Sequence, residues 1–165
     1  MRYLTYELFL AQNDENMNLI EEEKIQKQWN QNVIEYRSSY KALANKMSND
    51  VYHHFSGWGF HDYHLLSFEL EHKSLRKMNL KLTLSKDEGM STKVLQFSNV
   101  SSFDYHHKNY SNEKSMMNRD IDIWLFEEFL SVDSATLSFE VIFSSGASIA
   151  MKFPNHAVTI IEERK

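Results

Sequence analysis

The chain has 165 residues and a mass of 19.6 kDa, enough to bury roughly 70% of its unfolded surface around a core of its own. It contains no cysteine, which excludes a disulfide scaffold, a thiol nucleophile and any Cys-ligated zinc or iron–sulfur site. Eighteen basic against 23 acidic residues give a net charge of −5, which disfavours a general nucleic-acid binder.

In the first ten residues Glu7 interrupts a short apolar stretch, so no secretory signal is expected. No run approaches the ~20 apolar residues that span a bilayer. A cytoplasmic protein without membrane contact is the resulting expectation. A short helix is expected around residues 5–12. Next, Ile25, Trp29, Val33, Tyr36, Tyr40, Leu43 and Met47 recur at steps of three and four, which keeps them on one helical face. The spacing predicts a helix from about 19 to 48, bent or broken near Ser38 and Ser39. Asn18 can act as its N-cap, with Glu21 completing a capping box.

Neither Gly nor Pro occurs before Gly57. The segment 52–60 sets Tyr52, Phe55, Trp58 and Phe60 with His53 and His54 around Gly57 and Gly59. It reads foremost as the hinge from helix to sheet, its rings plugging the edge of the core. It could alternatively form an aromatic binding loop, since Trp and Tyr anchor interfaces.

From residue 60 the apolar period becomes two. Leu66, Phe68 and Leu70 alternate with polar residues, and so do Met78, Leu80, Leu82 and Leu84, as in half-buried antiparallel strands. Glu69 and Glu71 on the first polar face can pair with Lys81 on the second. A turn at 86–89 leads to strands over 94–97 and 100–105, then a polar loop over 106–119. The stretch 121–130 reads as a strand from its β-branched and aromatic content. Leu137, Phe139, Val141 and Phe143, then Ile149, Met151 and Phe153, then Val158 and Ile160 form three strands of an expected meander. The predicted core comprises Phe68, Leu70, Leu80, Leu82, Phe139, Val141, Ile149 and Met151.

Chemistry-bearing motifs are sparse. His53, His54, His61, His64 and His72 cluster in sequence beside Asp62. Adjacent strand residues point to opposite faces, so each His pair offers one ligand, and no recognised ligand spacing appears. No metal or cofactor is expected. A nucleophile elbow and phosphate-binding loops are missing. Glu127 and Glu128, like the pairs Glu69/Glu71 and Asp120/Asp122, read as charge on solvated strand faces. The final third, 116–165, holds four basic and eight acidic residues, as a solvated sheet face or as an acidic patch for a basic partner.

Several segments resemble a group of small uncharacterised bacterial cytoplasmic proteins: the start Met1-Arg2-Tyr3-Leu4-Thr5, the motif Phe60-His61-Asp62-Tyr63-His64-Leu65-Leu66-Ser67-Phe68-Glu69, Phe97-Ser98-Asn99-Val100, Trp124-Leu125-Phe126-Glu127-Glu128 and the hairpin at Gly146. The Phe-His-Asp strand start is also similar to that of some immunity proteins of bacterial polymorphic-toxin systems, which inhibit a cognate toxin by binding it. The long polar helix ahead of the motif departs from them. The resemblance implies no catalytic residues.

The expectation is therefore one α+β domain over 1–165: a helical arm, 1–56, packed on a curled antiparallel sheet of about six to eight strands, 60–165. A non-enzymatic protein-binding domain is expected, of the immunity type if the resemblance holds, with Trp58, Phe60, His61 and Asp62 as contact residues. Its partner would be another protein or a second copy, not nucleic acid or a membrane. The alternatives are a small metal-dependent hydrolase built on the five clustered histidines, and a structural oligomerising subunit.

Overall fold

The computed structural model describes residues 1–86, 91–107 and 122–164, with side chains described to 162. Three helices, α1 (Tyr6–Gln12), α2 (Leu19–Lys41) and α3 (Asn49–Ser56), precede eight strands: β1 (His64–Ser74), β2 (Lys77–Ser85), β3 (Ser91–Val100), β4 (Ser102–His106), β5 (Asp122–Ser131), β6 (Thr136–Phe143), β7 (Ser148–Pro154) and β8 (Val158–Arg164). The α+β expectation holds. All strands join one antiparallel sheet in the order β4-β7-β6-β5-β1-β2-β3-β8.

The predicted 19–48 helix is two helices. Its capping box forms at Asn18 and Glu21 as expected, but α2 ends at Lys41, beyond the serines. A turn follows, and Ser48 caps α3 by accepting from Val51 N–H. The apolar steps continue through the break: Tyr40, Leu43, Met47, Val51 and Phe55 are all buried. A change of chain direction therefore left the periodicity intact. Within 52–60, residues up to Ser56 belong to α3 and the remainder to a turn.

Among the described residues β1 meets β5 at His64↔Ile123 and Leu65↔Asp122, where two wings join, β1-β2-β3-β8 and β4-β7-β6-β5. The wings pack face to face: Phe97 of β3 lies 4.9 Å from Phe139 and 5.0 Å from Phe153, centroid to centroid. Leu70, predicted as core, is exposed although its partner Leu80 is fully buried, and Phe68 is only half-buried. Leu66, at a register shift, is exposed too. The other six predicted core residues are buried. Glu69 stands opposite Lys81 in register.

The expected C-terminal meander is corrected. β6 and β7 form a hairpin, but β8 pairs with β3 across Phe97↔Val158 to Ser91↔Arg164. The turn after Pro154 carries the chain to the other wing, with His156 in the left-handed region (φ 60°) and its N–H donated to Lys46 O. His61 and Asp62 lie in the turn before β1, which begins only at His64. The predicted turn at 86–89 lies outside the described residues from 87 onward, and the polar loop from 108 onward.

On the outer face of the second wing, Tyr6 of α1 packs with Leu125 and Ile142 and donates its hydroxyl to Ser144 O. Below it, Glu128 accepts three backbone N–H groups, those of Arg2, Tyr3 and Leu4, at 2.8, 2.7 and 2.6 Å. Asn32 of α2 donates to Tyr3 O at 2.8 Å. The first four residues thus form a strap binding α2 to β5.

Candidate functional site

Because β1 begins only at His64, opposite Ile123, the edge of β5 from Trp124 onward has no strand beside it, and buried backbone groups need partners. The turn over 58–63 and helix α2 supply them. Asp62 N–H donates to Trp124 O, Trp124 N–H donates to Tyr63 O, and Phe129 N–H donates to the Tyr36 hydroxyl at 3.1 Å. His61 Nδ1 lies 2.5 Å from Leu125 O, a position from which that nitrogen donates its N–H. A left-handed Asp62 (φ 66°) turns the chain into β1.

β5 itself contains a bulge. Trp124 pairs with Phe143 and Phe126 with Ile142, so one extra residue lies between them. Strict alternation would set Trp124 and Glu127 on opposite faces. The bulge restores them to one face, where Trp124, Glu127 and Phe129 oppose Phe143, Val141 and Phe139. Trp124 Nε1–H donates to Glu127 Oε2. Burial pushes the Glu127 carboxyl up to about 8, against the Trp124 hydrogen bond, which pulls it down.

Glu127 and Glu128 were expected on a solvated face. Both are buried, 9% and 2% exposed, on opposite sides of the strand. The acidity of the final third is correspondingly less of a surface property: Asp122 and Glu140 are half-buried as well, while Asp133 and Glu162 are exposed. Asp122 accepts from Ser144 Oγ, Ser145 N–H and Ser145 Oγ, tying down the β6–β7 turn.

Above Glu127 opens a cavity of about 660 Å³ between α2, α3, the 58–63 turn and β5. Its aromatic lining forms a row. Trp58 lies 5.4 Å from His61, His61 stacks on Phe126 at 5.4 Å and 22°, and Phe126 meets Trp29 at 4.9 Å. Tyr36 and Tyr40 line the α2 side, with Arg37 and Lys41 exposed beside them. Burial, reinforced by Glu127, holds the Tyr36 hydroxyl well above its ordinary range. Tyr40 is raised by burial, then by Tyr52 and Glu127.

The four expected contact residues separate. Trp58 is 78% exposed at the cavity mouth. His61, half-buried, belongs to the aromatic row, and exposed Asp62 sits 3.6 Å from its Nε2. Phe60 is corrected to a core residue: it is fully buried between Phe55, Tyr63 and Trp124 and offers a partner no surface. The histidines disperse: His53 and His54 on α3, His61 in the turn, His64 and His72 at opposite ends of β1. Among the described residues no three His, Asp or Glu side chains are grouped to hold a metal ion.

Gly59 packs against Glu127 and Phe55. It is left-handed (φ +54°), and a Cβ there would strike Glu127 Oε1 and lie 2.9 Å from Phe55 Cδ1. Gly59→Ala is expected to cost roughly 2–4 kcal/mol, from left-handed strain plus overpacking, read as a lower urea midpoint at unchanged slope.

Compared with protein-family models, curated proteins and solved structures, the chain matches none. No helix among the described residues is long and apolar enough to cross a membrane.

Proposed function

We propose that the chain is a non-enzymatic protein-binding domain that meets its partner at the mouth of the aromatic cavity, and that it acts as an immunity-type inhibitor of a bacterial toxin. The observation that carries the binding reading is Trp58, 78% exposed yet held against His61 above a cavity of about 660 Å³. A large apolar side chain displayed on a supported turn is the usual anchor of an interface, and truncating such anchors costs about 2–4 kcal/mol of binding. The resemblance to toxin-binding inhibitors supports the narrower form. A cytoplasmic location goes with it, and the lack of cysteine fits such a location.

The test is co-expression with the product of the neighbouring reading frame, followed by calorimetry on the purified pair. A complex is expected, and Trp58→Ala should weaken it at least 30-fold without shifting the melting temperature, since Trp58 lies outside the core. A complex indifferent to this substitution would refute the assigned surface.

A specific observation also favours a second reading, self-association. The outer half of the β1–β2 hairpin displays Leu70 and Leu75, the last 98% exposed. Sedimentation equilibrium would reveal a dimer that Leu75→Lys dissociates.

A further inference from the structure

We infer that the cavity behind Trp58 receives a basic side chain of the protein partner, with its guanidinium or ammonium group against the Glu127 carboxylate and its alkyl stem between aromatic walls. This rests on the reading above that the surface meets a protein, and adds the chemistry of what enters.

Glu127 supplies the first argument. It is 91% buried, from an exposure of 9%, and lines the cavity. Its Oε2 accepts the Trp124 indole N–H, whereas Oε1 takes no hydrogen bond from any described residue. None of the ion pairs among the described residues involves Glu127. A buried carboxyl in that position either stays neutral or acquires a counter-ion. No described residue provides a counter-ion, and the cavity that Glu127 lines is where one can arrive.

The walls supply the second. Trp29, Tyr36, Trp58 and Phe126 line the same cavity as Glu127, and aromatic faces attract cations, more strongly where water is displaced. The volume exceeds that of a guanidinium or ammonium group many times over, leaving room for the segment that carries it. Arg37 and Lys41 line the α2 side of the cavity but form no ion pair with Glu127. Both are exposed, and long basic side chains keep their charged heads in water.

Entry of the cation must displace the proton that burial retains on Glu127, a group held up to about 8 in the empty cavity. Binding should therefore tighten about tenfold per pH unit up to that value and level off above it. The groups around Glu127 are Tyr36, Arg37, Tyr40 and Lys41 on α2, Tyr52 on α3 and His61 in the turn. Glu128 is turned to the other face of β5, under the strap. All of these remain in Glu127→Gln, so a pH response lost in that variant belongs to Glu127.

The experiment selects a displayed random peptide library on the intact chain at pH 8.5, with counter-selection on Trp58→Ala. Trp58-dependent peptides are expected to share a Lys or Arg. They should bind Glu127→Gln at least tenfold more weakly, in a variant whose near-UV circular dichroism is unchanged, and their affinity for the unsubstituted chain should climb from pH 6 to 8. The pH series needs no variant and stands if Glu127→Gln fails to fold. Trp58-dependent peptides lacking a basic residue, or showing no pH response, would overturn the inference and leave the binding surface standing. If no Trp58-dependent peptide emerges, the binding reading falls and the inference with it. N-acetylarginine amide bound in a Glu127-dependent way would then make the occupant a free small cation.

Discussion

Glu127→Gln should be more stable than the unsubstituted protein at pH 8, and the gap should close as the pH falls towards 5. The Glu127 carboxyl is raised to about 8 in the fold, whereas in the unfolded chain it titrates near 4.3. Below both values the group is protonated in either state and contributes nothing. Between them the unfolded chain sheds the proton and the fold retains it, so stability declines as pH rises, by up to about 1.4 kcal/mol per unit from this one group. Above both values the penalty is constant, roughly 3–5 kcal/mol in all. Gln keeps an oxygen for the Trp124 N–H and cannot ionise, so its curve should lack this slope. Urea unfolding at pH 5, 6, 7 and 8 gives the difference directly. Parallel curves for the two proteins would mean that Glu127 is ionised in the fold.

Glu128→Ala should be the most damaging single substitution on β5, with an expected loss of about 3–5 kcal/mol, as for other buried carboxylates whose partners are left behind. Its carboxylate is the acceptor for the N–H groups of Arg2, Tyr3 and Leu4, and each buried donor left unsatisfied costs about 1–3 kcal/mol before relaxation. The strap would relax by peeling away, loosening the Tyr3–Tyr36 ring contact at 6.0 Å and the Asn32 hydrogen bond to Tyr3 O. Amide exchange at residues 2–4 should accelerate and α2 should lose protection. A loss below 1 kcal/mol with protection retained would show that the helix is held by something else.

Much of the fold could be read from the residues because its signals are local. The capping box at Asn18, the alternation in β2, β6 and β7, and the aliphatic and aromatic density of β5 all report on near neighbours. The site was less legible because it depends on distant parts of the chain. The bulge that sets Glu127 beside Trp124 is a property of pairing with β6, and the open edge of β5 follows from where β1 begins. One signal was nevertheless present. In Trp124-Leu125-Phe126-Glu127-Glu128-Phe129 the apolar residues run on without alternation, as in a strand buried on both faces. Carboxylates inside such a run have no solvated face to occupy. The β7-to-β8 crossing was hidden for a related reason: a turn such as 154–156 marks where the chain bends without saying which strand it will meet.

The first wing is not a continuous stretch of polypeptide, since β8 completes the wing begun by β1 to β3, and the whole of the other wing, β4 to β7, lies between them in sequence. During translation the first wing must wait with an unfilled flank until residues beyond 158 leave the ribosome, although its hairpin is synthesised long before. Cutting the chain between β4 and β5 would likewise yield two fragments that each carry a strand belonging to the other, so neither should fold alone, and mixing them should restore both together.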